Sequence, residues 1–134
     1  MSTTVIDLLD ALRAHLNDFD VPPVCSVELT TTAYSGEAQV SLQLAAPHLP
    51  GIADGLLAWA DTLRQTTTEA WRVPRGDSVH LSVTGRLCGG VLIEVYGGLS
   101  FTEHGIGGDL TPGARKTVSL AVLRECANPG EVIL

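Results

Sequence analysis

Aromatic residues make up only 4% of this 134-residue chain. Its interior must therefore be built mainly of Leu, Val, Ile and Ala. Lysine occurs once, as Lys116, and the net charge is −7. A nucleic-acid binder needs a basic face to displace counterions from phosphates, and these few scattered cations do not supply one. Nucleic acid is therefore not an expected partner. The three cysteines, Cys25, Cys88 and Cys126, are odd in number and far apart. They offer no C-x-x-C pair for zinc or redox work, and no metal or cofactor is expected. They read as reduced thiols filling small apolar positions, which fits a cytoplasmic protein. No apolar run nears the ~18 residues that span a membrane. The N-terminus lacks a basic region followed by an apolar run, so no secretory leader is read.

Hydrophobic residues reach 45% and charged residues 17%. That balance suits a packed globule, and residues 1–134 are expected to form one domain. The Arg-over-Lys bias, with abundant Ala, Gly, Leu and Val, points to a GC-rich bacterial source. One pattern occurs twice: a helix-period stretch followed by two strand-period stretches around a tight turn. The copies run from about Thr4 to Leu44 and from Gly51 to Tyr96.

In the first copy Val5, Leu8, Leu9, Leu12, Leu16 and Phe19 form one helical stripe. Thr4 with Asp7 fits a capping box, and Pro22-Pro23 ends the helix. Cys25, Val27, Leu29 and Thr31 then alternate with Ser26, Glu28, Thr30 and Thr32. After a turn at Tyr34-Ser35-Gly36, Ala38, Val40, Leu42 and Leu44 alternate with Gln39, Ser41 and Gln43. Period-2 patterning around a glycine turn reads as a hairpin with one buried and one wet face.

In the second copy Ile52, Leu56, Trp59, Ala60, Leu63 and Thr67 make the helical stripe. Gly55 inside it implies close packing against the sheet. Residues 66–77 read as irregular, with Trp71 packed over the end of the core, or exposed as an anchor as the alternative. Val79, Leu81 and Val83 alternate with His80, Ser82, Thr84 and Arg86. Cys88-Gly89-Gly90 makes the turn, and Val91, Ile93 and Val95 alternate with Leu92, Glu94 and Tyr96. Residues 97–113 read as a loop. A final helix is expected from Thr111-Pro112 to Asn128-Pro129-Gly130, with a strand in 114–127 as the alternative.

The expected fold is a two-layer α+β sandwich in the order αββαββα. Its antiparallel sheet has four, at most five, strands, with the helices on one face. Leu12, Leu56, Leu81 and Ile93 are expected in the core.

Chemistry-bearing residues are sparse. Residues 108–117 hold Gly108, Gly113 and Lys116, but two residues separate the second glycine from Lys116 and Pro112 removes an N–H. They are no phosphate-binding loop. Glu103 and His104, with Asp109 nearby, form a loop cluster that would need an orienting partner and a pocket to act. His15 and His48 read as bland surface residues. The wet sheet face is polar but lightly charged, which eases desolvation against a partner. Thr30, Gln43, His80, Arg86, Glu94 and Tyr96 are its candidate interaction residues.

The run Leu57-Ala58-Trp59-Ala60-Asp61-Thr62-Leu63, then Glu69-Ala70-Trp71-Arg72, then residues 76–87 (GDSVHLSVTGRL), resembles small uncharacterised actinomycete proteins. The likeness covers about a quarter of the chain and implies no active site. In outline, small size, acidity and helix–strand order are similar to secretion-type chaperones, which typically carry a third strand before the second helix.

These features point to a non-enzymatic interaction module: an adaptor, small regulator or chaperone-like protein that binds a protein partner or itself. The alternative is a small enzyme or ligand-binding protein using His104 with Glu103, or His80 with Glu94.

Overall fold

The computed structural model describes residues 3–31 and 37–128. The turn expected at Tyr34-Ser35-Gly36, Thr32, and the stop at Pro129-Gly130 lie outside the described residues.

Helix α1 spans Val5–Asp18 and starts as its sequence dictates. The Asp7 N–H donates to the Thr4 hydroxyl at 3.1 Å, and the Thr4 N–H donates to the Asp7 carboxylate at 2.9 Å. This reciprocal cap satisfies two orphan donors. Strands β1 (Val24–Thr30) and β2 (Gln39–Leu44) form the first antiparallel hairpin. Helix α2 (Leu49–Ala60) then carries the chain across the sheet to its other side. There β3 (Arg64–Arg72), β4 (Ser78–Arg86) and β5 (Leu92–Ser100) run as an antiparallel meander back toward β2. A short β6 (Arg115–Thr117) pairs with β3, and α3 (Leu120–Ala127) closes the described chain.

The α+β class stands, but the sheet differs from the one read in the sequence. It has six strands in the order β1-β2-β5-β4-β3-β6, and β2 lies parallel to β5. The four- or five-stranded antiparallel sheet and the order αββαββα are corrected accordingly. The first error is β3. Its inward positions are Thr68, Ala70 and Arg72, so no apolar alternation marks it as a strand. It also opens on a bulge between Arg64 and Thr67, where Gln65 takes a positive φ of 54°. Helix α2 therefore ends at Ala60, and Thr67 sits in β3 rather than on its stripe. The second error is the last helix. Thr111-Pro112 belongs to a turn in which the Ala114 N–H donates to the Thr111 carbonyl, and the helix cap is Ser119. The loop reading from residue 97 also began too early, because β5 runs on to Ser100.

The core lies on one sheet face. Val40, Leu42, Val79, Leu81, Val83, Ile93 and Val95 point into it and are fully buried. Leu8 and Leu12 of α1 and Ile52, Leu56 and Trp59 of α2 meet them from above. All four residues expected in the core are there. Gly55 packs closely, since a Cβ there would lie 3.0 Å from a Leu44 methyl. The α1 stripe is only partly used: Val5, Leu9, Leu16 and Phe19 stay exposed.

His15 is not the bland surface residue its place on the helix implied. It is 4% exposed, its Nε2 lies 2.8 Å from the Thr62 hydroxyl, and its ring stacks on Trp59 at 5.7 Å. Burial lowers its pKa below the ordinary 6.5, with the Asp18 carboxylate pulling the other way. The folded chain therefore binds fewer protons than the unfolded chain just below that pH. Stability contributed here is fully present above about pH 6.5 and falls as pH drops through it. Urea midpoints measured from about pH 7 to about pH 5 should decline, and His15→Gln should flatten that decline. An unchanged slope in the variant would contradict the assignment.

Candidate functional site

The face opposite the helices carries the polar half of each strand. Register brings them into rows: Glu28 beside Ser41 and Ser41 beside Glu94, then Gln43 beside Tyr96 and Tyr96 beside Ser82. Across the sheet, Glu69 lies beside Ser82, and Trp71 lies between His80 and Arg115. A concave trough of about 480 Å³ opens here, lined by Glu28, Ser41, Glu69, Trp71, His80, Ser82, Glu94, Tyr96 and Arg115.

One wall is a row of rings supplied by three strands. His80 stacks on Tyr96 with centroids 5.0 Å apart, and Trp71 meets His80 edge-on at 5.4 Å. The Arg115 guanidinium sits 5.5 Å from the Trp71 ring centre. Trp71 thus faces the open side of the sheet rather than the end of the core. Gly98 is the residue opposite His80, and a Cβ there would meet the His80 ring at 3.5 Å.

The electrostatics of the trough are negative. Arg115 is paired with Glu69 at 3.3 Å. Glu28 and Glu94 have no cationic partner among the described residues. Glu94 accepts instead a hydrogen bond from the Ser41 hydroxyl at 3.4 Å. Burial raises the Tyr96 pKa, and the Glu94 and Glu28 carboxylates push it further up. Burial lowers the His80 pKa, with the Glu94 carboxylate opposing. Among the described residues, no hydrogen bond joins His80 to Glu94. No group of three His, Cys, Asp or Glu among the described residues is placed to hold a metal ion.

Of the six candidate face residues, His80, Glu94 and Tyr96 line the trough. Gln43 and Thr30 flank it on β2 and β1. Arg86 sits at the far end of β4, where Glu37 grips it through both guanidinium nitrogens, one contact at 3.2 Å. The loop residues Glu103 and His104 are exposed and lie away from the trough. Asp109 is held by Lys116 at 2.7 Å, which lowers its pKa.

Sequence reasoning missed Glu69, Trp71 and Arg115 as site residues. Glu69 and Trp71 belong to a strand it did not see, and Arg115 to a segment where a strand was only the alternative to a helix. The usable signal was the run Thr66-Thr67-Thr68 before Glu69, β-branched residues suited to a strand.

Arg72, on the inner face of β3, ties the 101–114 segment beneath this end of the sheet. It donates to the Gly76 carbonyl at 3.0 Å and the Leu110 carbonyl at 2.9 Å, and lies 3.5 Å over the Phe101 ring. Its backbone also pairs with Gly113 and Ala114, which delivers Arg115 to the trough.

The three cysteines are free, and no helix among the described residues is long and apolar enough to cross a membrane. No family model, curated protein or solved structure matches the chain.

Proposed function

We propose that this chain is a non-enzymatic interaction module whose open sheet face receives a cationic segment of a protein partner. One observation carries the reading. Among the described residues, Glu28 and Glu94 stand without a cationic partner in a trough walled by Trp71, His80 and Tyr96. Carboxylates beside aromatic faces suit a guanidinium or ammonium group, which gains both charge pairing and cation–π contact. Trp and Tyr are also residue types that concentrate interface energy. The lightly charged hydroxyl-rich surround, with Ser26, Thr30, Ser41, Ser82 and Thr84, is cheap to desolvate.

The probe is a blocked glycine pentapeptide with one central arginine, followed by calorimetry. Weak binding to the wild type is expected, and Glu94→Gln with Tyr96→Ala should reduce it at least tenfold while leaving the thermal midpoint nearly unchanged. Arg86→Glu should leave binding intact, because Arg86 is engaged by Glu37. Equal binding to wild type and double variant would refute the reading.

A second reading is favoured by the cavity itself. Its volume lies within the range of small-molecule sites, roughly 300–1,000 Å³. A free organic cation, tested as arginine amide, would occupy the same trough. Binding of arginine amide as tightly as the peptide would favour this reading over a protein segment.

A further inference from the structure

Strand β1 is one of the two edges of the sheet and has a single neighbouring strand among the described residues, and its helix-side face is left half covered. Val27 lies opposite Leu42, which is fully buried, yet Val27 is 48% exposed. The uncovered side is apolar above it as well. On α1, His15 touches Trp59 of α2, so that side of the helix faces α2. Val5, Leu9 and Leu16 are turned to the other side at the 100° per residue of an α-helix, and each is at least 39% exposed. α1 lies over β1 and β2, whereas α2 lies over β4 and β5. The side of α1 away from α2 is therefore the side over the β1 edge. Val5, Leu9 and Leu16 of α1 and Val27 of β1 are thus exposed apolar residues on the side of β1 that has no neighbouring strand among the described residues.

Such an edge is a template for another strand, and folded proteins normally blunt it with lysine, proline or an inward charge. Between Ser26 and Thr30 this strand has no lysine or proline, and its one charge, Glu28, lies on the open face rather than the helix side. We propose that the β1 edge and the apolar flank of α1 are covered by a second copy of the same chain, with the two β1 strands antiparallel about a two-fold axis at Val27.

The strand's own sequence argues for a second copy. Centred on Val27, the pairing sets Val27 against Val27 and Cys25 against Leu29. On the open face it sets Ser26 of each copy against Glu28 of the other. A shift of the centre to Glu28 would oppose two carboxylates, and a shift to Ser26 would set Val24 against Glu28. Like charges directly opposite are destabilising, so this register is the self-complementary one. Each copy meets the other with the same patch, as a two-fold interface requires. Arg13 lies just beyond the apolar residues on α1 with Asp10 beyond it, while Asp7 and Asp18 lie toward the α2 side, so charges of both signs border them. The net charge of −7 on each copy does oppose it at long range. Association should therefore strengthen as salt rises. The result would be a continuous twelve-stranded sheet with both troughs on its open side.

Sedimentation velocity from micromolar to submillimolar chain, with amide exchange at both extremes, tests this. The wild type should pass from one chain's mass to two, and the amides of β1 should gain protection with concentration. Val27→Lys, a charge on a half-exposed edge residue, should weaken association at least tenfold. Leu9→Glu on α1 should do the same without touching the strand, which covers the case in which Val27→Lys fails to fold. Tyr96→Ala, on the opposite face, should leave the mass unchanged. A wild type that stays one chain throughout would overturn the proposal. So would a dimer indifferent to Leu9→Glu, or one whose β1 amides gain no protection.

Discussion

Trp59→Ala should lower the unfolding free energy by about 3–5 kcal/mol. Trp59 is the largest fully buried side chain of the protein. It does three things at once. It fills the space between α2 and the core, it stacks on His15 of α1, and its indole N–H donates to the Pro22 carbonyl at 3.3 Å. Truncation leaves a cavity, strips His15 of its ring contact and orphans a carbonyl at the end of the α1–β1 connection. A domain of this size is typically stable by only ~5–15 kcal/mol, so the loss is a large fraction of the whole. Trp59→Phe keeps most of the volume and loses the indole donor, and should cost less, with about 1 kcal/mol from the hydrogen bond. Denaturant midpoints with unchanged slopes give both values. A cost for Trp59→Ala below about 1 kcal/mol would mean that α2 does not seal the core as described.

Gly97→Ala should be nearly as informative, because it adds atoms rather than removing them. Gly97 is buried in β5, where a Cβ would lie 2.6 Å from Cγ2 and 2.8 Å from Cγ1 of Ile52. Carbon atoms pack comfortably at about 3.5–4.0 Å, so α2 must lift or Ile52 must leave its rotamer. Overpacking of this kind costs about 1–3 kcal/mol, against a smaller gain from replacing a flexible glycine in a strand. The pairing with Ile52 supplies the decisive control. Ile52→Ala alone should cost about 2–5 kcal/mol, yet the double variant should cost at least about 1 kcal/mol less than the sum. Additive costs would mean that the two residues do not touch.

Much of this fold is written plainly in the sequence. The Thr4–Asp7 cap, both hairpins and the Gly89–Gly90 turn, with φ of 96° and 88°, follow from local chemistry. What is hidden is hidden for physical reasons. β3 buries Thr68 and Ala70 instead of large aliphatics, and Thr68 answers its own buried hydroxyl by donating to the Val118 carbonyl. A strand whose inward face is small and polar shows no period of two. β6 is three residues long, too short for any pattern. The parallel contact of β2 with β5 depends on where α2 sets the chain down, which no local run of residues encodes.

The candidate site was half legible for the same cause. His80, Glu94 and Tyr96 stand on strands that alternate cleanly, so their common face could be read. Glu69, Trp71 and Arg115 complete the trough from β3, which shows no alternation, and from β6, where a helix was the favoured reading. Arg86 had the right residue type and the right face, but its partner Glu37 comes from before β2, beyond what alternation can place.

The central claim is that the acidic, ring-walled trough is where a cationic group docks. Its most direct test is an amide and side-chain NMR titration of the protein with the blocked arginine pentapeptide at physiological salt. The expected result is a compact set of shifts at Ser41, His80, Ser82, Glu94 and Tyr96 and at the Trp71 indole, absent for the matching all-glycine peptide. Shifts scattered over the acidic surface, or gathered around Glu103 and His104 instead, would contradict it.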